Sequence, residues 1–357
     1  MTRWRLWPAL LLAAAIALGA WAGMAARSEP APDVRLDGFN VIVTPGHPFG
    51  SESARLALAN AKQLGARTVA IVPFLWQPSP TSPDLVRGTD MDDDELRAGI
   101  RLARELGYTV VVKPHVWVPD SWAGAIGMTS EPDWQKWFAN YRRALESIAR
   151  IAAAENADAL AIATELSKTV RRPEWNELIG DTRTIFPGRT FYVAHTVEEA
   201  ERVPLWQKLD AVGVSLYPPL GSDCNGDGRR LTMLAVADRL DALAAQTGKS
   251  IIVGEVGLRS AQGAAARPWE SAEERASTPD PALQAAVLAD WLKILHRPSV
   301  RGILIWRWFT DPDAGGMTDT DFTVQGKPAG RVLKCTWTRS CEVEADSIDA
   351  ARAANGE

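Results

Sequence analysis

Eight short apolar runs spaced along the chain limit what it can fold into. They are Asn40–Thr44, Thr68–Phe74, Thr109–Val118, Ala159–Leu166, Thr190–His195, Ala211–Tyr217, Ser250–Leu258 and Gly302–Phe309. Most are rich in Val and Ile and do not alternate with polar residues, as expected of strands covered on both faces in a parallel sheet. The stretches between them have helical spacing. Asp92–Leu106 opens with acidic residues and sets Leu96, Ile100 and Ala103 on one stripe. Glu131–Ala154 does the same with Trp134, Trp137, Tyr141, Leu145 and Ile148. Leu231–Ala245 and Pro281–Leu295 are similar. Gly65, Gly107 and Gly248 each follow a helical stretch and precede a run, where a left-handed C-cap belongs. Eight strand-then-helix units predict an α/β fold closed as a (β/α)₈ TIM barrel. A doubly wound open sheet is the competitor, but it usually has fewer strands. Thr44-Pro-Gly-His-Pro is also not the Gly-rich phosphate loop that would follow its first strand.

The two ends lie outside that pattern. Arg3 and Arg5 precede an uncharged stretch, Leu6–Ala26, in which nine of 21 residues are Ala. Residues 1–26 therefore read as an export signal cleaved after Ala22, with an uncleaved membrane anchor through residues 6–26 as the alternative. Both place the remainder outside the cytoplasm, in the periplasm or extracellular space, free or tethered to the inner membrane. Residues 27–37 form a linker, 38–339 the barrel, and 340–357 a loosely ordered tail. Cys335 and Cys341 are close enough in sequence for a short-loop disulfide in an oxidising compartment, or are two free thiols; Cys224 is left over. Their spacing does not suit a zinc site.

With 39 Lys and Arg against 44 Asp and Glu, the net charge is −5, which argues against a nucleic-acid partner. The 15 Trp against 4 Tyr and 8 Phe are unusual. Indole needs either a core slot or a flat ligand to cover.

In a barrel of this kind the chemistry sits at the C-terminal ends of the strands. The polar and aromatic residues there are Trp76 after the second run, Lys113, His115 and Trp117 in the third, Glu165 in the fourth, His195 in the fifth, Tyr217 in the sixth, Glu255 in the seventh and Trp306 in the eighth. A carboxylate inside an apolar run is costly without a partner or a purpose. Two of them facing each other across a barrel mouth are what glycosidic bond cleavage needs, one protonated to release the leaving oxygen and one ionised to attack. Trp residues around such a mouth suit the C–H face of a sugar ring.

The motifs Ala-Thr-Glu165-Leu, Lys113-Pro-His115-Val, Val-Gly-Glu255-Val-Gly and Ile-Trp306-Arg-Trp308 resemble those of glycoside hydrolase family 113. So do Pro173-Glu-Trp175-Asn-Glu-Leu-Ile and Gln325-Gly-Lys-Pro. The resemblance runs from about Phe39 to Leu333. It implies a retaining β-1,4-mannanase-like (β/α)₈ enzyme without metal or organic cofactor. Glu165 would match the acid/base, Glu255 the nucleophile, Tyr217 an aromatic that contacts the nucleophile, and Trp306 the platform under the cleaved sugar. Trp76, Lys113, His115, Trp117, Trp175 and His195 are the further candidates for substrate contact. On this reading Glu165 should have a raised pKa, through apolar neighbours and the Glu255 charge, while Tyr217 favours the charged form of Glu255. The chain departs from the family at Ala163, where Gly is usual, and at His195-Thr196, where Asn-Trp is usual. The substrate therefore stays open between a β-mannan and an exported or cell-envelope polysaccharide.

Plainer alternatives stand beside these. Glu165 and Glu255 could be structural ion-pair members with Lys113 or an Arg, and Tyr217, ahead of Pro218-Pro219, a turn residue. Trp134, Trp137, Trp206, Trp291 and Trp337 read as core or helix-face residues. Trp122, like Trp76, Trp117 and Trp175, falls in or beside a strand-end loop. Asp223-Cys-Asn225-Gly-Asp227-Gly228 begins like a calcium loop but has Leu234 where the bidentate Glu belongs, so a polar turn before a helix is preferred. As a whole molecule, the alternatives to a hydrolase are a non-catalytic polysaccharide-binding barrel and a transglycosylase.

Overall fold

The computed structural model describes residues 35–222 and 226–341. The chain divides into two units, Met1–Arg35 and Leu36–Glu357. Apart from Arg35 the first lies outside the described residues, and so do the expected signal or anchor and most of the linker. The tail from residue 342, and Asp223, Cys224 and Asn225 of the calcium-like stretch, lie outside them too. Among the described residues no helix is long and apolar enough to cross a membrane.

The second unit contains a closed barrel of eight parallel strands, in the order β1 (Leu36–Ile42), β11 (Val300–Phe309), β10 (Ile251–Val256), β9 (Ala211–Leu216), β8 (Arg189–Ala194), β7 (Ala159–Thr164), β5 (Thr109–Val112) and β2 (Thr68–Ile71). This is the (β/α)₈ fold the apolar runs predict. The linker ends earlier than expected. Leu36 and Asp37 already belong to β1, because Leu36 packs inside the barrel with Ala70, Val111, Ala161, Phe191, Val193, Ile252 and Leu304. The opposite face of each strand packs on the helices, as Val41, Val69, Val110, Leu160, Val212, Val253 and Ile303 do.

Two of the expected strands are each broken in two. Pro73 and Pro114 have no N–H to continue the ladder. Beyond them the chain forms β3 (Phe74–Trp76) and β6 (His115–Trp117), which pair in parallel. Antiparallel β4 (Val86–Arg87) completes a separate three-stranded sheet. That sheet carries Trp76, His115 and Trp117.

The helices start where the sequence provides caps. Ser51 caps α1 (Glu52–Gln63), Asp92 caps α2 (Asp93–Glu105) and Ser130 caps α3 (Glu131–Ala154), each accepting from a first-turn N–H. The acidic run before α2 thus serves the helix terminus. Then come α4 (Glu174–Ile185), α5 (Val197–Ala200), α6 (Gly226–Thr247), α7 (Pro281–Ile294) and α8 (Pro328–Thr338). Gly65, Gly107 and Gly248 have φ of +87°, +73° and +67°, the left-handed caps expected of them. Trp137, Trp206 and Trp291 are buried, and Trp134 and Trp337 pack against the core. Cys335 and Cys341 are joined in a disulfide at the end of α8.

Candidate active site

Inward-facing positions recur every second residue along each strand, so the side chains above the apolar barrel layer follow from the register. On β8, inward Phe191 and Val193 are followed by His195. On β9, inward Ala211 is followed two and four residues on by Gly213 and Ser215. On β10 the alternation is interrupted: Ile252 faces inward, yet Val253 and Val256 both face the helices. The pairing slips at Gly254, so that Glu255 lies opposite Ser215. This bulge turns Glu255 into the mouth. Only Gly fits there, since a Cβ would come within 2.7 Å of Val193. Asn40 on β1 holds the bulge by donating to the Gly254 carbonyl (3.0 Å) and to that of Leu304 (3.3 Å).

Glu255 is buried and fully engaged. Lys113 Nζ, itself buried, donates to Oε1 at 2.5 Å, and the Tyr217 hydroxyl donates to Oε2 at 3.2 Å. His115 Nδ1 lies 3.9 Å from Oε1. Lys113 Nζ also sits 5.3 Å from the ring centre of Trp306.

Glu165 follows β7 with a φ of +58°, a left-handed conformation uncommon for a residue with a Cβ, costing on the order of 1–3 kcal/mol. Its N–H still bonds to Val193 O at 2.8 Å. Its Oε2 lies 3.1 Å from His195 Nδ1. Seven of the expected site residues, Lys113, His115, Glu165, His195, Tyr217, Glu255 and Trp306, are thus linked around one mouth.

The charge pattern corrects an expectation. Burial pushes the Glu165 carboxyl up, but His195, His115 and the Ser215 hydroxyl outweigh it and hold the pKa below the ordinary value. Glu255 goes the other way, because burial and the Glu165 charge raise it by more than Lys113 and Tyr217 lower it. The reason is a neighbour the sequence did not reveal: a histidine in contact with Glu165. His115 is pushed down to about 4, by burial first and then by Lys113, and is neutral at neutral pH.

The rim is aromatic. Trp76 and Trp117, exposed by 39% and 48%, lie with ring centres 6.0 Å apart on the three-stranded sheet. A notch of about 240 Å³ beside Trp76, lined by Gln77, Pro78, Asp84, Val86 and Pro119, touches neither carboxylate. Trp175 is not a rim residue. It is fully buried on the inner face of α4, and its Nε1–H donates to Thr169 O at 2.9 Å. The position just after a strand-end loop placed it beside the mouth in sequence, but helical phase turns it into the core. Trp122 belongs to the site more closely than its sequence position indicated, with its ring centre 4.4 Å from that of His195. Asn40 was missed, although a lone Asn in an apolar run was a usable sign. Among the described residues no group of three His, Cys, Asp or Glu is arranged to hold a metal ion.

The model for Glycoside Hydrolase Family 113 matches residues 39–327. Among solved structures, a complex of a GH113 β-1,4-mannanase superposes with a TM-score of 0.75 at 25% identity, covering 85% of this chain and 99% of that one. The GH113 β-mannanase of Alicyclobacillus acidocaldarius, in complex with ManMIm, has a TM-score of 0.75 at 22% identity, with 86% and 98% covered. A β-glucuronidase from Ruminococcus gnavus, at 12% identity and TM-score 0.57, covers 85% of this chain and 50% of its own, and shares the fold alone. No curated protein gives a significant match.

Proposed function

The chain belongs to glycoside hydrolase family 113, and from that premise we propose that this glycoside hydrolase cleaves internal β-1,4 links of a mannan-like polysaccharide by double displacement. Glu255 attacks the anomeric carbon and forms a glycosyl-enzyme. Glu165 protonates the leaving oxygen, then takes a proton from the water that releases the sugar. Trp306 lies under the cleaved sugar, His115 contacts it from the side, and Trp76 and Trp117 stack on more distant units.

The observation that supports this most is the convergence on Glu255. Lys113 and Tyr217 each occupy one of its oxygens, while His115 and Glu165 act on it from across the same mouth. The Lys113–Glu255 pair is the ion pair that a purely structural role would also give. That role does not by itself call for a second carboxylate, Glu165, held in a costly backbone conformation at the same mouth. The mannan preference rests on what the two mannanases are described as cleaving. The place of action we propose is outside the cytoplasm, in keeping with the Cys335–Cys341 disulfide.

The test is release of reducing ends from β-1,4-mannan, β-1,4-glucan and bacterial envelope polysaccharides by the purified chain and by Glu165→Gln and Glu255→Gln. Mannan should be cleaved, and each variant should lose about a thousandfold or more while still folding, as its circular dichroism reads. A parent rate on mannan no higher than that of the variants contradicts the reading.

A further inference from the structure

His195 is held against Glu165 by a network that fixes both. The His195 backbone N–H donates to Glu199 Oε2 at 3.0 Å. The Glu199 carboxylate also accepts from Ser167 Oγ, two residues beyond Glu165, and from the Tyr192 hydroxyl on β8 at 2.5 Å. Thr196 Oγ1 in turn accepts from the Glu199 N–H at the start of α5. One carboxylate therefore ties the segment after β7 to the end of β8. Glu165 Oε2 and His195 Nδ1 face each other at 3.1 Å, an ion-pair contact in which the Nδ1–H is not lined up on the carboxylate as a hydrogen bond, so a proton transfer needs the imidazole to turn toward it.

The indole of Trp122 covers the imidazole, with ring centres 4.4 Å apart. Trp122 itself packs over Gly124, where a Cβ would come within 1.9 Å of the indole, so only Gly leaves room for the indole there; the Trp122 and His195 rings are tilted by 43°. An aromatic face favours an imidazolium over a neutral imidazole. The charged and titratable groups facing His195 are Glu165, Glu199 and Glu255, with His115 across the mouth and Lys113 next to His115.

We propose that His195 is a positioning residue that shares the acid's proton with Glu165, holding it in the free enzyme and returning it to Glu165 as the glycosidic oxygen arrives. This rests on the reading of Glu165 as the acid/base. In the first step a proton passes from His195 Nδ1 to Glu165 Oε2, and the Glu165 proton goes to the leaving oxygen. The bond from the anomeric carbon to that oxygen breaks as the bond to Glu255 forms. In the second step water gives its hydroxyl to the anomeric carbon and its proton to Glu165, from which it returns to His195, and the Glu255 ester breaks. The opposed charge shifts agree with this exchange. Burial lowers the His195 pKa, but Glu165, Glu199 and Glu255 together raise it above the ordinary value, while Glu165 is held low. With the pair, the proton lost on the alkaline side is the one His195 holds, and His195 is held above the ordinary histidine value.

The chain has four histidines, so His195 can be followed by imidazole NMR titration of the full chain and assigned by its loss in His195→Asn. Its midpoint should lie above the ordinary value and fall by about one pH unit in Glu165→Gln. In parallel, kcat/KM is measured against pH for β-1,4-mannohexaose and for 2,4-dinitrophenyl β-mannobioside. In His195→Asn the alkaline limb for the hexaose should move about one pH unit toward acid. The aryl substrate, whose leaving group needs no proton, should lose less of its kcat/KM in this variant than the hexaose does and show no such shift of its alkaline limb. A midpoint unmoved in Glu165→Gln, or a limb unmoved in His195→Asn, overturns the proposal. If the parent cleaves neither substrate, the mannanase reading fails, while the NMR titration still decides whether His195 and Glu165 share a proton.

Discussion

Lys113 Nζ and Glu255 Oε1, 142 positions apart in the chain, meet at 2.5 Å where neither side chain is more than 5% exposed. Lys113 is the last residue before Pro114 ends the third barrel strand, and Glu255 is turned inward by the bulge at Gly254. Two backbone irregularities on opposite sides of the barrel therefore create one buried ion pair. Removing one member leaves the other charge without its partner, which costs far more than the pair contributes. Lys113→Met should lose about 3–5 kcal/mol in urea unfolding. Lys113→Met combined with Glu255→Leu should recover most of it. A single variant as stable as the parent would show that the pair is not buried as described.

Two kinds of Trp can be separated by where substitution shows its effect. Trp175 fills the core under α4 with its N–H satisfied, so Trp175→Ala should cost about 3–5 kcal/mol. Trp76 and Trp117 are exposed on the rim sheet, so changing both to Ala should leave stability within about 1 kcal/mol. It should raise KM for long oligosaccharides by about tenfold, with shorter ones less affected. Denaturant melts and a chain-length series check both. Unchanged KM at every length would remove the two rings from the substrate path.

His115 gives a pH dependence with a definite sign. Its folded pKa is about 4, below the value near 6.5 of an unfolded His. Between those values the unfolded chain takes up a proton that the folded one refuses, so this residue makes stability fall as pH drops from 6.5 toward 4, by on the order of 3 kcal/mol in full. His115→Gln should lose less stability than the parent between pH 7 and pH 4.5, read from urea midpoints. Equal losses would mean that His115 titrates normally.

Much of this was legible in the sequence because burial on both faces leaves a plain signature. Glu165 and Glu255 stood out as carboxylates inside Val- and Ile-rich runs, and Gly65, Gly107 and Gly248 marked helix ends. Pro73 and Pro114 were equally visible, yet the runs continue so smoothly through Phe74-Leu75 and His115-Val116 that apolar continuity hid the break. What could not be read was anything set by side-chain distance at the mouth. The contact between His195 and Glu165, at the ends of the paired strands β8 and β7, depends on where the two side chains turn, and the direction of the charge shifts follows from that contact. Trp175 was misplaced for the opposite reason. Proximity in sequence to a strand end says nothing about helical phase, and phase sends this ring inward.

A retaining mechanism requires Glu255 to become bonded to sugar in every turnover. The most direct measurement is intact-protein mass spectrometry after incubation with a 2-deoxy-2-fluoro glycosyl fluoride of the mannan series, followed by peptide mapping. A mass increase of one fluoroglycosyl unit is expected on the peptide containing Glu255 and absent in Glu255→Gln. An adduct on another residue, or turnover of mannan with inversion at the anomeric carbon and no adduct, would contradict it.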